Sequence, residues 1–252
     1  MKPNMDRVAH RFSAAAPLYH AHNVLQRRTA THLLSTLSAT GRVLDLGCGP
    51  GTDFSAFSGV KEVVGVDIAQ GMLRTFKQNF AGYDALCGDA QNLPLQSASI
   101  DTLYSNIALQ WCHHLPDAIN DIHRVLAAEG KMYASIVSQH SLAQLSDLGL
   151  RVNQFHSTQA IKACFSASQW DQLEIDTRAI TVHFDNLKAL LQSIKGVGAS
   201  GMSAADQLSL RPNTLRGRAD WQRLLKRAEL TRVAAGLPLT YNICFIKAVK
   251  SR

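Results

Sequence analysis

A glycine-rich segment is the part of the sequence best suited to binding chemistry. Residues 45–51 read Asp-Leu-Gly-Cys-Gly-Pro-Gly and directly follow a short apolar run that predicts a buried strand. Glycines at such a turn let the chain bend sharply and let backbone N–H groups approach a ligand without a Cβ in the way. We therefore predict a ligand crevice floored by Gly47, Gly49 and Gly51 at the carboxyl end of this strand, with a helix following.

Aspartates at three successive strand ends complete this crevice. Asp45 lies inside the first strand, Asp67 closes the next and Asp89 closes the third. Asp67 can accept hydrogen bonds from both hydroxyls of a ribose, and Asp89 can accept one from an exocyclic amine. Asp45 would repel a pyrophosphate but suits an ammonium group, and the G-x-G-x-G spacing differs from the dinucleotide fingerprint. The pattern favours a nucleoside that carries an amino acid over a nicotinamide dinucleotide.

The surrounding sequence predicts an α/β fold. From residue 42 onward, short apolar runs alternate with helical spacing, which is typical of βα units around a doubly wound, mostly parallel sheet. The strands are predicted near 43–46, 63–66, 85–87, 100–105 and 132–137, and later at 180–184 and 242–249. Ahead of them, residues 7–37 predict two helices that are broken near Pro17.

The length and composition fit one domain. A chain of 252 residues that is 46% hydrophobic can bury a core of normal size. We predict a single domain over 1–252 with covering helices in 1–40 and a ligand-binding core in 41–137. A helical insertion over the ligand edge is expected in 138–178, with helices at 141–155 and 158–165. The final strands, a helix at 187–194 and a basic segment occupy 179–252.

Charge and cysteine content narrow the class of protein. The net charge of +7 lies wholly in the second half, because residues 1–135 carry equal numbers of acidic and basic side chains. The excess is densest in 211–232, where it would attract an anionic partner. Five scattered cysteines without a C-x-x-C pair predict neither a disulfide framework nor a zinc site. With no apolar run of membrane length and no secretory signal, we expect a cytoplasmic protein and no membrane partner.

Nucleic acid is a poor candidate for the anionic partner. Trp221 is the only aromatic residue among the basic residues of 211–232, so a base-stacking surface is not supported. The segment 104–111, which follows the fourth strand, also lacks the Asn-Pro-Pro-aromatic motif of base-modifying methyltransferases. No Asp, Glu or His cluster has spacing suited to a catalytic metal.

Residues 45–51 resemble the motif of class I S-adenosylmethionine-dependent methyltransferases, and the wider sequence resembles one of their families. The malonyl-acyl-carrier-protein O-methyltransferases of biotin synthesis, the BioC family, show similar segments. These correspond to 12–19 (Phe-Ser-Ala-Ala-Ala-Pro-Leu-Tyr), 25–27, 93–95, 105–112, 195–199 (Lys-Gly-Val-Gly-Ala) and 238–241 (Pro-Leu-Thr-Tyr). The chain departs from the pattern at 139–142, where Gln-His-Ser-Leu replaces a Gly-Ser-Leu.

The resemblance implies a Rossmann-like, seven-stranded sheet and a methyl transfer from S-adenosyl-L-methionine to the free carboxylate of malonyl-acyl carrier protein or malonyl-coenzyme A. Tyr19 and Trp111 are expected to close over the cofactor, and Arg27 is expected to hold the malonyl carboxylate. The cofactor-binding residues implied are Gln26, Asp45, Gly47, Cys48, Gly49, Gly51, Asp67, Ile68, Met72, Asp89, Ala90 and Asn106. No metal is implied.

The carrier protein is expected to dock on the basic segment through Arg211, Arg216, Arg218, Arg223, Lys226 and Arg227, and a monomer is favoured. Lys188 with Lys195 is an alternative docking element. Two other functions stay open on the sequence alone. The first is a methyltransferase for another small carboxylic acid or a quinone precursor. The second is a basic RNA- or cofactor-binding protein without catalysis.

Overall fold

A computed structural model describes residues 5–197 and 217–252, which form a seven-stranded sheet in an α/β fold. The strands are β1 Gly41–Leu46, β2 Val60–Asp67, β3 Asp84–Cys87, β4 Ile100–Asn106, β5 Leu126–Val137, β6 Trp170–Phe184 and β7 Leu237–Lys250. Their order is β3-β2-β1-β4-β5-β7-β6. Strands β1 to β5 pair in parallel, whereas β7 runs antiparallel between β5 and β6. The predicted doubly wound, mostly parallel sheet is confirmed.

The strand order determines at which edge of the sheet a ligand can bind. β2 pairs with one side of β1 and β4 pairs with the other side, so the strand order reverses direction at β1. In open α/β sheets, such a reversal opens a crevice beyond the carboxyl ends of the strands. Asp45 and Asn106 lie close to those ends on β1 and β4, which puts both at the crevice.

Helices cover both faces of the sheet. They are α1 Met5–Ala15, α2 Tyr19–His22, α3 Val24–Thr36, α4 Gln70–Asn79, α5 Leu115–Val125, α6 Ala143–Asp147, α7 Thr158–Lys162, α8 Leu187–Gly196 and α9 Arg218–Glu229. One buried cluster joins α5 to β1, β4, β5 and β7, and another joins α3 to the opposite face. The break expected near Pro17 is a 3-10 turn over Ala16–Leu18, after which α2 begins. None of the helices in the described part of the chain has the length and apolar character needed to cross a membrane.

The helix expected after the glycine turn is absent. Residues 47–59 connect β1 to β2 without helix. Phe54 is 1% exposed and packs edge-on against Tyr104, with ring centroids 5.5 Å apart, and its N–H donates to Tyr83 Oη at 3.1 Å. The carboxylate of Asp53 accepts the N–H of Ser55, a local bond that competes with helix formation. Anchoring of Phe54 therefore fixes an irregular connection.

The predicted insertion is also shorter than expected. The helix predicted over 141–155 ends at Asp147, close to Gly149, whose φ of +80° does not continue a helix. Strand β6 begins at Trp170, ten residues before the predicted start at 180, so 170–178 belongs to the sheet. This strand lies at the edge and alternates polar residues with Leu173 and Ile175, so its apolar signal is weak.

Candidate active site

The carboxyl ends of β1, β2 and β3 border a cleft, here called the strand-end cleft, with about 700 Å³ of empty space. Its sheet side contains Gly47, Gly49, Asp67, Ile68, Asp89, Ala90 and Asn106. Helix α4 contributes Met72, which is 1% exposed, and α1 contributes Val8 and Phe12. The cleft therefore combines polar groups of the strand ends with an apolar wall from the helices.

Asp67 fixes the turn that forms the cleft floor. Its Oδ2 accepts the N–H of Gly49 at 2.9 Å and its Oδ1 accepts the N–H of Ala69 at 2.7 Å. Burial raises the pKa of this carboxyl, although the two N–H donors oppose that effect. Asp67 thus ties the glycine turn to the end of β2 and still faces the cleft, where it can bind a ligand hydroxyl.

Gly47 is required where the chain leaves β1. Its φ is +67°, a region that residues with a side chain rarely adopt. A Cβ built on Gly47 would lie 2.2 Å from the Cβ of Ala108. The glycine therefore allows the turn and the segment after β4 to approach each other closely.

A neighbouring pocket, here called the Asp45 pocket, is lined by Asp45, Cys48, Gly51, Thr52, Tyr104, Asn106 and residues of α2 and α3. Asp45 is 2% exposed, and its Oδ2 accepts the N–H of Thr52 at 3.1 Å. Burial raises the pKa of this carboxyl well above its usual range. A ligand cation would compensate an ionised Asp45, so the pocket suits an ammonium group.

The Asp45 pocket also holds a polar atom that has no partner. Asn23 is 7% exposed, and its Oδ1 accepts no hydrogen bond from the described residues. Buried polar atoms are nearly always paired, so this oxygen indicates a place for a ligand donor. The carboxylate, the amide oxygen and the nearby glycine turn fit the amino-acid end of a nucleoside ligand.

A third space, here called the apolar cavity, lies beneath α8 and has about 710 Å³ of empty space. Its walls come from α2, α3, α8, the strands β6 and β7 and the segment after β4. The larger side chains among them are Phe12, Tyr19, His22, Trp111, Phe155, Phe184 and Tyr241. Within the described ranges, no Lys, Arg, Asp or Glu lines this cavity.

Ile107 forms a wall between the apolar cavity and the strand-end cleft. It lines both and has a φ of +49°, a strained conformation for a β-branched residue. The N–H of Ile107 donates to the carbonyl oxygen and the Oγ of Ser135, both at 3.0 Å. These bonds hold the strained backbone in place.

Tyr19 lies where the three spaces meet, because it lines the strand-end cleft, the Asp45 pocket and the apolar cavity. Burial raises the pKa of its hydroxyl, so the group stays protonated at neutral pH and can donate a hydrogen bond. Trp111 lines the cleft and the cavity and packs edge-on against Phe12, with centroids 5.6 Å apart. These two rings therefore form part of the wall of the cleft on the side of α1.

The residues predicted to bind a cofactor all line the strand-end cleft or the Asp45 pocket. Asp89 is partly engaged already, because its two carboxylate oxygens accept the side-chain N–H groups of Gln91 at 3.2 and 3.1 Å. Asn106 joins two elements: its Nδ2 donates to the Gln26 carbonyl at 2.9 Å and its Oδ1 accepts from Ser135 at 2.7 Å.

Arg27 lies beside several of the predicted cofactor-binding residues. It lines the Asp45 pocket and not the apolar cavity. Leu25 and Thr29, two residues before and after it, are buried against the sheet side of α3, whereas Arg27 is exposed. A guanidinium there suits the carboxylate of an amino acid bound in the Asp45 pocket.

Most residues of the apolar cavity could not be recognised from the sequence. Val182, Phe184 and Tyr241 are far apart from Tyr19 in sequence, and only the pairing of β6 with β7 brings them to one wall. The 238–241 segment was noted for its resemblance, but nothing in it indicated a position beside Tyr19. Phe12 was the nearest available signal, because it opens the N-terminal segment of the same resemblance.

The basic segment is only partly described. Arg211 and Arg216 lie outside the described residues, and α9 carries Arg218, Arg223, Lys226 and Arg227. Arg223 pairs with Asp220 on the same helix, and Arg227 donates to the carbonyl of Asp147 at 2.7 Å, which ties α9 to α6. Buried leucines of α8 and α9 share one cluster with α6, so these three helices pack together.

Comparison with known proteins indicates a methyltransferase domain and its fold. A methyltransferase domain model matches residues 44–134. The YcgJ protein of Bacillus subtilis superposes with a TM-score of 0.60 at 20% identity, covering 89% of this chain and 98% of that one. The [4+2]-cyclase SpnF superposes with a TM-score of 0.61 at 17% identity, covering 99% and 98%. At these identities the structures support the fold alone.

Curated relatives of higher sequence identity indicate one particular family. The malonyl-[acyl-carrier protein] O-methyltransferase of Gallionella capsiferriformans (strain ES-2) is 31% identical over 95% of this chain and 88% of its own length. The enzyme of that name from Methylovorus sp. (strain MP688) is 31% identical over 97% of this chain and 88% of its own. The bifunctional protein BioHC of Cellvibrio japonicus (strain Ueda107) is 30% identical over 97% of this chain, which spans 50% of that protein.

The fold, the glycine turn and the carboxylates at its strand ends define a class I methyltransferase that uses S-adenosyl-L-methionine. Within that class, the chain belongs to the malonyl-[acyl-carrier protein] O-methyltransferase family. The resemblance to that family predicted from the sequence is thereby confirmed.

Proposed function

We propose that this chain methylates the free carboxylate of a malonyl thioester carried on acyl carrier protein, a step that biotin biosynthesis requires. The observation that carries the proposal is the position of Tyr19, where a polar cleft suited to the cofactor meets the largely apolar cavity. The printed names of the relatives supply the acceptor.

Each space has a part in holding the cofactor. The strand-end cleft would take the nucleoside, with Asp67 at the ribose and Asp89 beside the base. The Asp45 pocket would take the amino-acid end, with Asp45 facing the ammonium and Arg27 facing the carboxylate. When bound, S-adenosylmethionine supplies a methyl group on a positively charged sulfur.

The acceptor needs little chemical activation. A carboxylic acid has a pKa of about 4, so it is ionised at neutral pH and requires no general base. The work left to the protein is to align the carboxylate oxygen with the methyl group and to exclude water. The apolar walls of the cavity suit that task.

Uncharged donors are available to position the acceptor carboxylate. Tyr19 and Tyr241 both line the apolar cavity, and the described residues offer neither hydroxyl a hydrogen bond. Burial raises the pKa of both, so both remain donors. Neutral donors orient a carboxylate without stabilising its charge as strongly as an arginine would, which matters because that charge is lost in the reaction.

The basic face of α9 remains our proposed attraction site for the carrier. Its side chains Arg218, Arg223, Lys226 and Arg227 are exposed or engaged by short-range partners, so their contribution is mainly a long-range field. Such steering weakens with salt. Rates on the carrier-linked substrate should therefore fall with ionic strength more steeply than rates on a small thioester.

Mass spectrometry of malonyl-carrier protein tests the proposal. Incubation with the chain and S-adenosylmethionine should add one methyl group to the malonyl moiety, and acetyl-carrier protein, which lacks the carboxylate, should gain none. Methylation of small carboxylic acids or quinone precursors without any transfer to malonyl thioesters would overturn the proposed acceptor. Cofactor binding without transfer to any acceptor would favour a non-catalytic protein.

A further inference from the structure

A groove between α1 and α8 lies next to the apolar cavity. Its walls include His10, Arg11 and Leu18 from the N-terminal helices and Gln192 and Lys195 from α8, and it is open to solvent. His22 lines both this groove and the apolar cavity. The two spaces therefore meet at His22.

The contact at His22 is close. A Cβ built on Gly196 would lie 2.1 Å from Cδ2 of His22, so the glycine at the end of α8 leaves room for this ring. Tyr19 and His22 lie three residues apart on α2, about 5 Å along the helix axis. The groove thus begins about one helical turn from the junction where methyl transfer is proposed.

The charge of the groove favours an anion. Arg11 and Lys195 line it together with two histidines, and none of its described lining residues is acidic. The carbonyl end of α8 opposes an anion weakly, and a hydrogen bond from a charged donor such as Lys195 outweighs that opposition.

The groove also has an apolar part. Leu18 is 59% exposed and lies on its wall, beside Ala14 and Ala15. A ligand that fills the groove therefore needs both an anionic group and an uncharged stem that can enter the apolar cavity. A thioester arm that ends in a phosphate has this composition.

We infer that the α1–α8 groove binds the phosphate of the pantetheine arm that carries the acyl group, and that the arm enters the apolar cavity past His22. This inference rests on the proposed function, because it assigns the far end of the same substrate. The phosphate binds near Lys195 and Arg11, and the thioester end reaches Tyr19.

The contribution of the phosphate group to substrate binding can be measured with two substrates. Malonyl-phosphopantetheine and malonyl-pantetheine differ only in that group. For the unaltered chain, KM should be about tenfold lower with the phosphorylated compound, as expected for one charge-assisted hydrogen bond. Lys195→Glu and Gln192→Glu should remove that difference, whereas Gln192→Lys should enlarge it. None of these changes should alter KM for malonyl-pantetheine more than about twofold.

The control is Lys61→Glu, the same charge change at an exposed residue near the amino end of β2, on the far side of the sheet from the ligand edge. It should leave both KM values unchanged, which separates a local phosphate site from an effect of net charge. Equal responses of the two substrates to Lys195→Glu would overturn the groove assignment. A response seen only with malonyl-carrier protein would also overturn it and would indicate recognition of the carrier surface.

Direct binding keeps the test independent of turnover. Calorimetry with the chain saturated by S-adenosylhomocysteine should show tighter binding of malonyl-phosphopantetheine than of malonyl-pantetheine, and Lys195→Glu should remove the preference. If binding shows this preference but no thioester is methylated, the groove stands and the proposed function fails. If methylation occurs without any phosphate preference, the proposed function stands and the groove assignment fails.

Discussion

The strand-end cleft and the apolar cavity are built in opposite ways. In the cleft, polar groups come from the ends of neighbouring strands, and Asp67 is already held by the N–H groups of Gly49 and Ala69. In the cavity, side chains from distant segments form an apolar wall, and the hydroxyls of Tyr19 and Tyr241 have no partners among the described residues. One region is preorganised before a ligand binds, whereas the other presents hydroxyl groups that a ligand can engage.

This contrast implies that mutations can weaken cofactor binding and acceptor binding separately. Changes in the cleft or the Asp45 pocket should act on cofactor affinity, and changes in the cavity should act on the acceptor. The exceptions are the residues that line the apolar cavity and also one of the two cofactor spaces, namely Phe12, Tyr19, Gln26, Ile107 and Trp111.

The largest effect is expected for Asp67→Ala. It removes the acceptor of two backbone N–H groups and the proposed ribose contact, so S-adenosylhomocysteine should bind about 100-fold more weakly. Isothermal titration calorimetry measures this directly. Asp84→Ala, which removes an exposed carboxylate at the start of β3, should leave the affinity unchanged. Equal losses in the two variants would refute a specific role for Asp67.

The second-largest effect is expected for Asp45→Asn, which should change how cofactor affinity depends on pH. Asp45→Asn keeps the acceptor for Thr52 but removes the charge, so S-adenosylhomocysteine should bind about 30-fold more weakly at neutral pH. Because an ammonium ligand favours the ionised carboxylate, the affinity of the unaltered chain should rise as pH rises through the Asp45 pKa. The variant should lack that rise. A calorimetric pH series that is identical for both proteins would contradict this assignment.

The same residue links pH to stability. Since burial raises the pKa of Asp45 in the folded chain, its contribution to stability is present at low pH and is lost as pH rises through that value. Asp45→Asn should therefore raise the melting temperature of the ligand-free chain by about 3 °C at neutral pH and by less in acid. Differential scanning calorimetry at several pH values checks the sign.

Tyr241→Phe should affect the acceptor alone. Loss of one hydrogen bond to the carboxylate should raise KM for the malonyl substrate about tenfold, with little change in the affinity for S-adenosylhomocysteine. Tyr133→Phe is the matched control, because Tyr133 is 2% exposed in the core and lines none of the three spaces. A rise in KM that is shared by the control would show a packing effect instead.

The smallest effect is expected at Arg27, and its direction distinguishes the two regions. Arg27 is exposed and lines the Asp45 pocket, so Arg27→Ala should weaken S-adenosylhomocysteine binding about threefold and leave KM for the acceptor unchanged. The opposite result, a raised acceptor KM with normal cofactor affinity, would return Arg27 to the carboxylate role that the sequence suggested.

The sequence predicted the cleft better than the cavity for a physical reason. Residues 45–51, Asp67 and Asp89 each follow a strand of a parallel sheet, and the carboxyl ends of such strands share one edge, so local patterns were enough to bring them together. The cavity depends on the antiparallel pairing of β6 with β7 and on the packing of α8, which involve residues far apart in the chain.

Local signals also failed at two elements. The helix expected after the glycine turn is replaced by an irregular segment, because the burial of Phe54 against Tyr104 outweighs helical preference. The first half of β6 was missed, because an edge strand needs apolar residues on one face only and this one carries few. Both failures are cases in which tertiary packing decides the local structure.

The missing helix between β1 and β2 has an electrostatic consequence. Nucleotide-binding folds commonly aim the positive end of the first helix at a phosphate group. Here no such dipole comes from residues 47–59, and the carboxyl groups of Asp45 and Asp67 accept N–H groups of the turn itself. A ligand with a sulfonium and an ammonium group favours the ionised form of these carboxyls, whereas the phosphates of a dinucleotide would be repelled by it.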